Sequence, residues 1–108
     1  MTSFTVYVLL LATNKYYIGK TKLGCHQKRI LKHFSGKGAL FTRLHKPVTI
    51  MELIHTDDIF LEHSKTIEYM KLYGIENVRG GEYVKEKLTE HEMTFIKKTI
   101  ACVYDLCF

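Results

Sequence analysis

Acidic residues are missing from the first 51 positions of this 108-residue chain, cysteine is scarce, and no apolar run is long. The three cysteines, Cys25, Cys102 and Cys107, include no CxxC pair. An odd number without that spacing argues against a disulfide scaffold or a zinc site and predicts free, buried thiols in a reducing compartment. The longest apolar run, Val6–Ala12, falls short of a membrane span and of most signal-peptide cores, and no basic flank precedes it. The expected location is therefore intracellular, cytoplasmic or nuclear, without secretion or a membrane partner. Nucleotide-binding fingerprints are also missing: Gly36-Lys37-Gly38 belongs neither to a GxxxxGKS/T loop nor to a GxGxxG turn between strand and helix. Internal repeats, linkers and low-complexity segments do not occur. The length fits one domain over residues 1–108 with a modest core.

What is present is a lopsided charge. Nine lysines and arginines precede Glu52 with no acid among them, and all eleven acids follow alongside seven bases. A patch so uniformly positive repels itself unless a polyanion meets it, which makes the first half a candidate phosphate-binding face. Composition alone leaves nucleic acid and anionic lipid open, with nucleic acid favoured.

The first stretch, Phe4–Thr21, predicts a β-hairpin. Val6–Leu11 favour a strand, Ala12–Asn14 supply a turn in which Asn14 takes a left-handed conformation, and Tyr16–Lys20 return. A three-residue loop pairing Leu11 with Lys15 puts Tyr17 opposite Leu9, one same-face step from Tyr7, so the two phenols project into one patch. Lys22–Gly24 turn the chain into a helix over Cys25–Phe34 with Ile30, Leu31 and Phe34 as its apolar edge. Arg29 and His33, four apart, share a face near the rim of the core. Ala39–His45 predict a short helix ended by Lys46-Pro47, and Val48–Ile54 a third strand. Asp57 or Asp58 caps a helix running to about Tyr73, with Gly74 as its stop. Its inward stripe is expected to hold Ile59, Thr66, Met70 and Tyr73, with Ile67 alongside, and Glu62 falls on the same stripe. A core-facing carboxylate requires a cation, a hydrogen-bond donor or a metal, whereas Glu68 points away into solvent. Ile75–Tyr83 predict an irregular connector. Thr89 and Glu92 form a capping box for a final helix, about 89–106, bearing Met93, Ile96, Ile100 and Val103.

Tyr7 and Tyr17 on a hairpin, Tyr17-Ile18-Gly19, Arg29 and His33 on the next helix, Leu61-Glu62 on a later one, and then Asn77: this order resembles the GIY-YIG nuclease family over about residues 4–83. The second half-motif is literal, while Thr5-Val6-Tyr7 stands where the family often has Gly-Ile-Tyr. His33 followed by Gly36-Lys37-Gly38-Ala39, Thr42-Arg43 and Lys46-Pro47-Val48 is similar to its small standalone branch. Tyr73-Gly74-Ile75 with Asn77-Val78-Arg79-Gly80-Gly81 resembles versions in large DNA viruses and some eukaryotes.

The resemblance implies an α/β fold with a three-stranded, mainly antiparallel sheet flanked by helices, and a metal-dependent endonuclease that hydrolyses DNA, as in repair or recombination. It implies Tyr7 as the base, Tyr17 to position water or phosphate, and Arg29 to brace a phosphate bidentately. His33 would assist proton transfer or bind a phosphate, Glu62 would hold Mg²⁺ or Mn²⁺, and Asn77 would support the metal. Lys20 would lower the Tyr7 pKa, although strand alternation sends it to the opposite face unless Gly19 breaks the pleat. Lys22, Lys28, Lys32, Lys37 and Arg43 are the candidate nucleic-acid contacts. RNA stays open as a substrate, as does a fused or separate specificity domain. Two rival readings are a non-catalytic nucleic-acid-binding module on the same fold and a basic protein-interaction domain.

Overall fold

A computed structural model describes residues 3–104. Cys107 and the last two positions of the expected final helix lie outside the described residues. In chain order the elements are β1 (Phe4–Leu11), β2 (Lys15–Lys22), α1 (His26–Phe34), α2 (Leu40–Leu44), β3 (Pro47–Thr56), α3 (Leu61–Tyr73), a single 3-10 turn (Ile75–Asn77), β4 (Val78–Gly80) and α4 (Glu90–Tyr104).

The hairpin forms in the expected register: Leu11 faces Lys15, Leu9 faces Tyr17 and Tyr7 faces Gly19. Its loop uses two left-handed residues, Thr13 (φ 62°) as well as Asn14 (φ 57°). For β-branched Thr13 this conformation is uncommon, and the sequence signal pointed to Asn14 alone. β3 adds antiparallel to the other edge of β1, with register shifts between Val8 and Leu9 and between Leu10 and Leu11.

The sheet has four strands in the order β3-β1-β2-β4, and β4 runs parallel to β2 through the pairs Tyr16–Val78, Tyr17–Arg79 and Ile18–Gly80. The expected three-stranded sheet is thus corrected to a mixed one, and part of the expected irregular connector is a strand. Three residues ending at a Gly-Gly pair carry no readable alternation. A parallel partner also needs no adjacent turn to announce it.

The central strands are covered on both sides, which explains why β1 reads as an unbroken apolar run. One face gathers Tyr7, Leu9, Leu11 and Tyr17 against Ile30 of α1 and Phe41 of α2. The other gathers Val6, Val8, Tyr16 and Ile18 against Ile67, Tyr69 and Met70 of α3 and Ile96 of α4.

Several expected faces rotate. On α1 the buried residues are Ile30 and His33, while Leu31 is 68% exposed and Phe34 is also exposed. On α3 they are Thr66, Ile67, Tyr69 and Met70. Ile59 precedes that helix and is exposed, as is Tyr73, which stacks on Tyr16 at 4.2 Å between ring centroids. Asp58 accepts the Phe60 amide at 2.9 Å, so its turn comes before the first helical residue. Glu68, expected in solvent, is half-buried and lies 3.5 Å from Lys65. The Thr89–Glu92 capping box closes reciprocally at 2.9 and 3.1 Å, and Ile96 is fully buried beneath it, but Val103 is exposed. Cys25 and Cys102 are free thiols, exposed rather than buried.

Candidate active site

Register and one glycine bring the two tyrosines together. Tyr7 and Tyr17 sit at odd positions of paired strands, and their rings lie 6.5 Å apart, tilted by 40°. Tyr7 turns its ring across the strand onto Gly19, its register partner. A Cβ at position 19 would stand 2.2 Å from Tyr7 Cζ, closer than atoms can approach. The glycine of Tyr17-Ile18-Gly19 is therefore the floor on which the Tyr7 ring lies, and any side chain there would evict it.

His33 completes the aromatic cluster, 5.6 Å from the Tyr7 ring and 5.0 Å from that of Tyr17. Its Nε2 lies 2.8 Å from the Tyr7 hydroxyl. The sequence placed His33 at the rim of the core, but it is fully buried. Ile30 and His33, three apart, turn together onto the sheet and carry Leu31 outward. A second glycine makes this burial feasible, because a Cβ at Gly38 would stand 2.1 Å from His33 Nδ1. The imidazole is held on its other side by Thr42 Oγ1, 3.0 Å from Nδ1.

Burial, then the neighbouring Tyr17 phenol, push the Tyr7 pKa above its ordinary value; Arg29 opposes the rise and Glu62 adds to it. Burial also raises that of Tyr17, with Glu62 raising and Arg29 lowering it. Both phenols thus feel a guanidinium and a carboxylate at once. Burial, and then Arg29, lower the His33 pKa to about 4. Near neutral pH the Tyr7–His33 pair is an uncharged phenol bonded to an uncharged imidazole.

The remaining expected residues divide. Arg29 is exposed while its charge reaches Tyr7, Tyr17 and His33. Glu62, half-buried at the start of α3, has a raised pKa through burial, offset by Lys20 and His63. Lys20 follows strand alternation onto the face opposite the tyrosines, its ammonium 5.0 Å from the Phe4 ring centre. The hairpin register runs unbroken through Gly19, so the pleat is not broken there. The charge of Lys20 bears on Glu62. Asn77 is not brought to the cluster: its Oδ1 accepts from Lys15 at 2.8 Å and its Nδ2 donates to the Tyr73 carbonyl at 2.8 Å. Lys22, Lys28, Lys32, Lys37 and Arg43 are all exposed. Thr42, Gly19 and Gly38 lie inside motif strings visible in the sequence. Nothing in residue type or spacing revealed that they contact the buried His33 and Tyr7.

Among the described residues no three His, Cys, Asp or Glu side chains cluster into a cage. Glu62 is a half-buried carboxylate for which no side-chain hydrogen bond or ion pair is seen among the described residues. One such oxygen donor fits a hard divalent ion that keeps water on most of its positions, and does not fit zinc or another thiolate- and imidazole-seeking metal. No helix among the described residues is long and apolar enough to cross a membrane.

No solved structure matches this chain. A UPF0213 protein of Bacillus velezensis is 30% identical over 91 residues, which cover 84% of this chain and 87% of that protein. A family model described as the GIY-YIG catalytic domain, typical of nucleases, matches residues 3–69, from just before β1 through most of α3. That span holds Tyr7, Gly19, Arg29, His33 and Glu62, and the chain belongs to the GIY-YIG family.

Proposed function

We propose that this protein is a metal-dependent endonuclease that cleaves DNA phosphodiester bonds by water attack, with Tyr7 and His33 handling the proton. The observation that supports this reading most is the 2.8 Å bond between the Tyr7 hydroxyl and His33 Nε2, within reach of the Arg29 and Glu62 charges.

A phenol whose pKa is raised is almost never present as the free phenolate near neutral pH. Bonded to a neutral imidazole, it acts instead as a relay. A water oxygen forms its bond to phosphorus while giving a proton to Tyr7 Oη, and the original Tyr7 proton passes to His33 Nε2. The phosphorus–oxygen bond to the leaving sugar breaks, and that oxygen takes a proton from solvent. Arg29, at the exposed edge of the cluster, braces the phosphate bidentately, and Tyr17 orients the attacking water. A Mg²⁺ or Mn²⁺ ion held by Glu62 would offset charge on the phosphoryl and leaving oxygens. Lys20, on the far face, tempers the Glu62 carboxylate rather than activating Tyr7. Asn77 has its side chain committed to Lys15 and Tyr73 and takes no part.

One observation favours the rival reading of a nucleic-acid-binding module without turnover: Tyr7 is only 1% exposed and His33 not at all, as befits a satisfied polar pair in a core. Cleavage of plain, branched and flapped DNA and of RNA, with Mg²⁺ or Mn²⁺ against a chelator, separates the two. Under the nuclease reading DNA is cut only with metal. Glu62→Gln binds DNA but does not cut, and Tyr7→Phe loses roughly 10²- to 10⁴-fold in rate while keeping its fold. Metal-independent binding with no product from any substrate would leave the module reading standing.

A further inference from the structure

We infer that Thr42 is a positioning residue that selects the His33 tautomer, leaving Nε2 bare to face Tyr7. The tautomer assignment rests on geometry alone. Its link to turnover rests on the nuclease reading above.

Thr42 is 1% exposed and sits in α2, just beyond the Gly36-Lys37-Gly38 loop. Its Oγ1 lies 2.7 Å from the Ala39 carbonyl and 3.0 Å from His33 Nδ1. A carbonyl can only accept, so the single hydroxyl proton is given to Ala39. What remains on Oγ1 is a lone pair, and the bond to the imidazole forms only if Nδ1 carries the proton. Neutral imidazole has one N–H, so Nε2 is then an acceptor, and the Tyr7 hydroxyl donates to it across 2.8 Å. One chain of donation runs from Tyr7 through His33 and Thr42 to the Ala39 carbonyl, and each of these three side chains gives its proton to an acceptor.

The competing tautomer has its own partner. The Ala39 amide points at His33 Nδ1 from 3.4 Å, at the outer limit of a hydrogen bond, and would donate to an unprotonated Nδ1. Nε2 would then carry the proton, and the relay out of Tyr7 would be closed. Ala39 thus offers a weak contact for one tautomer through its amide, and Thr42, anchored on the Ala39 carbonyl, supplies a shorter one for the other. Gly38 permits either, because the absence of its Cβ brings the loop against Nδ1.

The test is a nitrogen-15 spectrum of histidine-labelled protein near pH 7, with the His33 signals among the six histidines assigned by their loss in His33→Gln. The parent and Thr42→Ser should show Nδ1 protonated and Nε2 bare. Thr42→Val, which offers no acceptor, should move the proton to Nε2 as the Ala39 amide takes over Nδ1. In cleavage assays Thr42→Val should lose roughly 10- to 100-fold in kcat with KM unchanged, and serine should restore the rate. Thr42→Ala replaces valine if that variant does not fold. Nε2 protonated in the parent would overturn the inference, as would a tautomer unmoved by valine or alanine. The expected tautomer switch together with a parent that cuts no substrate would uphold the positioning role and bring down the nuclease reading alone.

Discussion

At the scale of the residue, His33 carries the clearest thermodynamic signature. Its folded-state pKa of about 4 lies below the ordinary 6.5, so the folded protein holds the neutral imidazole that the unfolded chain would protonate. The resulting stability is fully present above pH 6.5 and is lost as pH falls through that window towards 4. The depression corresponds to about 3 kcal/mol. Urea unfolding of the parent and of His33→Gln at pH 7, 5.5 and 4 should show their stability difference shrinking by that order as the pH falls. A difference independent of pH would mean His33 is protonated equally easily in the folded state. The legibility of this site also divides at the residue scale. Turn length and strand parity together put Tyr7 and Tyr17 on one face. Glu62 stands out through a carboxylate's misfit on an apolar stripe. The depth of His33 is not legible, because nothing local tells which of two neighbouring helix faces meets the sheet.

At the scale of the element, β4 shows how a short strand is held without periodicity of its own. Arg79, paired with Tyr17 across the parallel ladder, is 3% exposed and spends its guanidinium on carbonyls. Nε donates to Lys85 at 2.6 Å, one terminal nitrogen to Ile75 at 2.8 Å and Val78 at 2.7 Å, and the other to Glu86 at 2.8 Å. The side chain ties the 3-10 turn, β4 and the following loop together, and its charge lies 5.3 Å from the Phe41 ring centre. A lysine keeps the charge but has no fork with which to reach several carbonyls. Arg79→Lys should therefore cost about 2–4 kcal/mol in urea unfolding and expose the 82–88 loop to proteolysis first. A cost below about 0.5 kcal/mol would show that the carbonyls find water as readily as the guanidinium.

At the scale of the whole molecule, charge is partitioned along the chain, and Lys22, Lys28, Lys32, Lys37 and Arg43 of the acid-free part all stand in solvent. Phosphate contacts made by such side chains release counterions, so DNA affinity should fall steeply with salt. Replacing Lys28 and Lys32 with Glu should weaken binding about equally for all sequences and reduce the magnitude of the log–log salt slope by about 2. An unchanged slope in a fluorescence-anisotropy titration would place α1's lysines away from the bound strand. Arg29 belongs to the same helix, yet its charge reaches the buried cluster. The sequence displays it as one more cation, and only packing separates it from its neighbours.

Residues close together in the chain settle a good part of this protein without help from the rest. Turn length and strand parity set the hairpin register, Thr89 and Glu92 set the start of α4, Gly74 sets the end of α3, and the charge partition needs no fold at all. Tertiary packing governs whatever depends on two surfaces meeting. It pairs β4 with β2 from more than 50 positions away and draws Asn77 to Lys15. It also sinks His33 between Tyr7 and Thr42. Local signals report backbone preference and periodicity, whose energies are small and additive along the chain. Which helix face is buried, and against which strand, follows from burial and hydrogen-bond satisfaction summed over the whole domain, and those terms exist only once the distant parts have packed.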